Sequence, residues 1–168
     1  MSDISRERLL DKRQALKLRL ERRRVSGQAR ACGRLLCDAG VKFVKLVPHA
    51  CRAALGGLSG LPGRDERFDW QAIPGGICER WENDAGRDRL FSEILGKCAA
   101  FDDRVAVIWH PFEAGLRLKA HDLAAHLPAF LDGVHDVVWI VAAKDSPWLI
   151  EIEPREYEIC RFNPQSGE

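Results

Sequence analysis

Arg104-Val105-Ala106-Val107-Ile108-Trp109, Val137-Val138-Trp139-Ile140-Val141-Ala142 and Trp148-Leu149-Ile150-Glu151-Ile152-Glu153 are the three apolar runs of the chain. The first two are continuous rather than alternating, as expected of strands covered on both faces. Between them, Asp122-Leu123-Ala124-Ala125-His126-Leu127-Pro128-Ala129-Phe130-Leu131 has helical spacing, and Pro128 should bend or stop that helix. Lys144-Asp145-Ser146-Pro147 is turn chemistry, so the order reads strand, helix, strand, tight turn, strand. In the third run Trp148, Ile150 and Ile152 alternate with Leu149, Glu151 and Glu153, which predicts an antiparallel strand with a solvated carboxylate face. Pro154-Arg155 turns again, and Tyr157, Ile159 and Phe162 predict a last edge strand.

Just downstream of the first run, Leu116 and Leu118 are a short strand candidate; on its N-terminal side, Ile77 to Gly96 looks helical and is split near Gly86. Pro74-Gly75-Gly76 is a turn, and Gly56 to Gly63 reads as a loop by its glycine and proline content. Before it, Ser5 caps a helix over residues 5–24 with Leu9, Leu16 and Leu20 on a thin apolar face that needs a partner. Ser26-Gly27 offers a break. Helical spacing then resumes through Cys32, Leu35, Leu36 and Ala39 until Gly40 and Pro48 interrupt it, with Val41 to Val47 as an alternative strand. The expected fold is α+β: a helical N-terminal region followed by a mixed, largely antiparallel sheet with packed helices. Its expected divisions are a basic helical region over 1–55, a loop over 56–66 and an α+β domain over 67–168, with one compact domain as the alternative.

The 168 residues, 46% apolar and 30% charged, suit a globular domain with a real core. No apolar run reaches the roughly 18 residues of a membrane span, and the start lacks the apolar centre of a secretion signal. A cytoplasmic protein with no membrane partner is expected. The six cysteines contain no Cys-x-x-Cys pair and are expected to be reduced, small core residues. Net charge is +1 but divided: residues 1–52 hold 14 Lys/Arg and 5 Asp/Glu, leaving 12 Lys/Arg and 20 Asp/Glu for residues 53–168. That division predicts two surfaces with different partners, or halves that attract each other.

Catalytic signatures are weak. Gly57, Gly60 and Gly63 lack the lysine of a phosphate loop, and Gly57-Leu58-Ser59-Gly60-Leu61 lacks the second glycine of an esterase elbow. His110, His121, His126 and His135 border the predicted sheet without ligand spacing, so neither a metal nor a cofactor is expected. A hydrolase would pair His110 or His135 with Glu113, Glu151 or Glu153, but nothing marks a nucleophile. No catalytic residue is assigned. Arg19, Arg22, Arg23, Arg24, Arg30 and Arg34 form a basic patch that would attract phosphates, although Phe43 is the only aromatic before Phe68 for stacking. The remaining class is protein recognition. Five tryptophans can anchor interfaces, and Asp145, Glu151, Glu153, Glu156 and Glu158 beside Trp148 could steer onto a basic partner.

The C-terminal half, from Arg87-Asp88-Arg89-Leu90-Phe91 through Val107-Ile108-Trp109, His135 to Val141 and Trp148 to Glu153, resembles small bacterial immunity proteins of contact-dependent inhibition and other polymorphic-toxin systems. The likeness is one of texture, because that superfamily has no shared motif from which site residues transfer. It implies a cytosolic inhibitor that blocks a cognate toxin domain, such as a nuclease, by occlusion. The expected partner-binding residues are Trp148, Glu151, Glu153, Glu156, Glu158 and Asp145.

Overall fold

A computed structural model of the chain describes residues 3–58, 60–64, 67–99, 103–110, 114–142 and 148–163. Its elements are α1 (Asp3–Asp38), β1 (Val44–Leu46), α2 (Pro48–Leu55), β2 (Gly63–Arg64), β3 (Arg67–Phe68), β4 (Ile77–Arg80), α3 (Asp84–Cys98), β5 (Arg104–Trp109), β6 (Ala114–Lys119), α4 (Ala120–Ala125), α5 (Leu127–Asp132), β7 (Val138–Ala142), β8 (Leu149–Glu153) and β9 (Glu158–Phe162). Seven strands form one sheet in the order β1-β6-β5-β7-β8-β9-β4, and every pairing in it is antiparallel. The fold is α+β.

The continuous apolar runs are explained by cover on both sides. Val105, Val107, Trp109, Val138, Ile140, Ile150 and Ile152 face a core built with α1, α3, α4 and α5. Ala106, Ile108, Trp139, Val141 and Leu149 face the opposite way, toward Leu46, Cys51 and Leu58, with Phe68 and Trp70 packed alongside. Gly115 makes the second contact possible. A Cβ there would lie 2.9 Å from the Val107 carbonyl oxygen and 3.0 Å from Cys51 Sγ, so α2 and β5 close in only over glycine.

Several local expectations change. The N-terminal helix runs unbroken through Ser26-Gly27 as α1. Val25, Ala29, Cys32 and Leu36 repeat on one face and are buried, and that packing on both sides of Gly27 outweighs the ~1 kcal/mol cost of a helical glycine. Gly40, at φ +77°, ends the run: its N–H donates to Cys37 O while Val41 N–H donates to Leu36 O. The segment 77–80 is strand rather than helix, because pairing with β9 overrides its helical pattern. Asn83 then caps α3 by accepting from Gly86 N–H at 2.9 Å. The helix around Pro128 is interrupted at His126, as its proline predicts. β9 is not the edge; β4 covers it. β1 pairs with β6 and α2 packs over the sheet, so residues 44–55 share the sheet and core of the C-terminal part.

Candidate functional site

The alternation of β8 is real, but its carboxylate face is not wet. Trp148, Glu151 and Glu153 are 4%, 1% and 6% exposed, which corrects their expected display as a partner-binding surface. Phe68 and Trp70 lie over that face. Trp70 Nε1 donates to Glu151 Oε1 at 3.0 Å, and Trp139 Nε1 donates to Oε2. Glu151 is thus held between two indoles, and hydrogen bonds to a charged acceptor offset the cost of burying it. Phe68 stacks edge-on against both tryptophans and helps close the layer. Glu153 accepts from Arg155 N–H at 3.0 Å, folding the β8–β9 turn back on its strand.

A second buried carboxylate joins the layers. Asp136 is 7% exposed and accepts from Gln28 Nε2 at 2.6 Å and Arg155 Nη2 at 2.7 Å, with Arg24 Nη2 at 3.0 Å. Gln28 Oε1 in turn accepts from His135 N–H. Arg24 therefore ties α1 to the loop before β7, rather than belonging wholly to an open basic patch. Arg19 and Arg23 are exposed, Arg22 has interactions of its own, and Arg30 Nε donates to Ser26 O.

The residues that do stand open near the expected acidic face are at the β8–β9 turn. Glu156 and Tyr157 are exposed, Tyr157 by 59%, and Glu158 is partly covered and ion-paired to Arg80 at 3.3 Å. Asp145 lies outside the described residues. Tyr157 has φ 54°, the single non-glycine residue of positive φ among those described, and its carbonyl accepts from Trp81 N–H at 3.0 Å. Its ring meets Trp81 edge-on, with centroids 6.2 Å apart. All four residues of β4 are exposed beside it, and β4 ends the sheet. The sequence placed Tyr157 only within a strand. Its exposure depends on a turn conformation that local pattern does not reveal.

The structure also gathers basic residues that were not singled out. At the opposite sheet edge, a cavity of about 400 Å³ is lined by Lys42, Phe43, Arg104, Arg117 and Lys119, with His121 and Asp122. A neighbouring cavity of about 440 Å³ is lined by Phe43, Lys45, Arg30, Arg34 and Cys37. Of the Arg19–Arg34 patch, only Arg30 and Arg34 reach this groove.

The histidines do not converge. His110 packs edge-on against Trp139, His121 Nε2 lies 3.2 Å from Asp122, and His135 is exposed. Glu151 and Glu153 are engaged as described, and Glu113 lies outside the described residues. Cys78 and Cys160 face each other across β4 and β9 and form a disulfide, correcting the expectation that all six cysteines are reduced. Strand register, invisible in the spacing of 82 residues, brings them together. With Glu158 they make the only trio of potential metal donors close enough to share an ion among the described residues, and the disulfide takes up both sulfurs. Cys32 stays a buried thiol, its pKa pushed up to about 11 by burial. No helix is long and apolar enough to cross a membrane among the described residues. Neither a protein-family model nor a curated protein matches the chain.

Proposed function

We propose that the protein is an immunity-type inhibitor that binds a cognate toxin domain, a basic nuclease, and occludes its active site without catalysis of its own. The observation that carries this reading is the Glu156-Tyr157-Glu158 turn, in which an exposed tyrosine is held at positive φ between two carboxylates. A rigid aromatic anchor costs little entropy to bury, and carboxylates beside it steer a basic partner. Positive φ in a tyrosine stores strain, which is often tolerated where a side chain must be aimed. Among the described residues β4 ends the sheet, and its outer edge offers backbone groups on which an extended partner segment can dock. The working face moves accordingly from Glu151 and Glu153 to Glu156, Tyr157, Glu158 and β4.

Co-expression with the toxin domain encoded immediately upstream tests the proposal. Protection from killing and a complex on a sizing column are expected. Tyr157→Ala with Glu156→Lys should abolish both while leaving the melting temperature near that of the parent. Continued killing with no complex would reject the inhibitor reading, and full protection by the double variant would reject this face.

A further inference from the structure

The groove at the β1 edge is a second surface, about 29 Å across the sheet from β4 if six strand spacings separate the two edges. It does not depend on the inhibitor reading. We propose that it binds the phosphodiester backbone of a single-stranded nucleic acid, with one base against Phe43.

Arg104 stands directly opposite Lys119, and Arg117, two residues before Lys119, stands opposite both Ala106 and Val44. Three cations therefore share one face of two adjacent strands. Cations gathered this closely attract a bound anion. Lys42 enters the same cavity from the turn before β1. Arg117 Nε is buried and makes no hydrogen bond among the described residues. Arg117 lines the cavity, and a guanidinium fork pairs readily with phosphate oxygens. Among the described residues, no ion pair engages Arg34, Lys42, Lys45, Arg104 or Arg117.

The two cavities are consecutive and share Phe43, so the cations form a track rather than a closed pocket. Phe43 is half-buried, and its ring lies close enough to Gly33 that a Cβ there would meet it at 3.2 Å. The ring is thereby wedged between α1 and the sheet edge, with cations on both sides. A fixed aromatic among cations is the arrangement that suits stacked bases on a tracked backbone.

The test is fluorescence anisotropy of the full chain with labelled single-stranded DNA and RNA of about a dozen nucleotides. With four or five phosphates engaged, affinity should fall roughly 50- to 130-fold between about 50 and 200 mM salt. The combined variant Lys42→Glu, Lys45→Glu, Arg104→Glu alters exposed side chains only, and it should abolish binding with little change in melting temperature. Arg117→Gln should weaken binding about tenfold. Reversing Arg19 and Arg23 on the distal part of α1 should have a smaller effect. The proposal is overturned if wild type shows no binding at low salt, or if the triple variant keeps the affinity and salt slope of wild type. A larger loss from the Arg19 and Arg23 reversal would move the site to the distal helix and also overturn it. So would inorganic phosphate or a mononucleotide binding as tightly as the oligonucleotide, since that marks a small-anion pocket.

Discussion

Replacing Glu151 by Gln preserves its shape but turns one of two acceptors into a donor, facing an indole N–H in either orientation. Glu151 Oε1 is 3.0 Å from Trp70 Nε1, and Oε2 accepts from Trp139. The variant loses one charge-assisted hydrogen bond, of about 1.5–3 kcal/mol, and leaves one buried donor unsatisfied at about 1–3 kcal/mol. Neutralising a side chain that is 1% exposed returns part of this by removing a desolvation cost. A net loss of about 2–3 kcal/mol is expected, a large share of the ~5–15 kcal/mol that holds a typical domain folded. Urea unfolding followed by tryptophan fluorescence measures it. A double-mutant cycle with Trp70→Phe should show coupling of at least about 1 kcal/mol, because the two side chains share a bond. Stability of Glu151→Gln within about 0.5 kcal/mol of wild type would refute the clamp. The same reasoning predicts that Glu151→Lys prevents folding rather than slowing association with any partner.

Gly115→Ala should cost about 1–3 kcal/mol in urea unfolding, since its Cβ would press on the Val107 carbonyl and Cys51. Asp136→Asn should cost about 2 kcal/mol and expose α1 amides near Gln28 to faster hydrogen exchange, because Arg24 and Arg155 lose their shared carboxylate. Reducing the Cys78–Cys160 bond, which spans 82 residues, should lower stability by about 4–5 kcal/mol on the chain-entropy estimate, measured as a lower urea midpoint in dithiothreitol. Cys32 has a folded pKa of about 11 against an ordinary 9.0, so the folded state holds its proton more tightly. Its contribution is complete below pH 9 and is lost as pH rises toward 11, about 1 kcal/mol of it by pH 10. The drop in urea midpoint between pH 8 and pH 10 should therefore shrink in Cys32→Ala.

Elements whose signals are local were legible in the residues. The two continuous apolar runs became β5 and β7, Gly40 ended α1 with its φ of +77°, and the helix around Pro128 broke at His126. The α+β class follows from those periods. Misreadings arose where a distant segment outweighs local preference: 77–80 became a strand through β9, and Gly27 stayed helical through the packing of Val25 and Ala29.

The candidate sites were less legible still. The alternation of Leu149, Glu151 and Glu153 correctly put both carboxylates on one face, yet alternation is blind to what covers a face. Trp70, 81 residues away, reaches across to Glu151, and the proposed partner surface is instead the turn beyond it. The charge division was visible as numbers. Its conversion into a groove needed register, because only the pairing of β1, β6 and β5 sets Arg104, Arg117 and Lys119 side by side. Composition and period depend on near neighbours in the chain and so can be read from it. Which buried carboxylate finds an indole, and which cations meet across strands, depends on contacts between segments that only tertiary packing brings together.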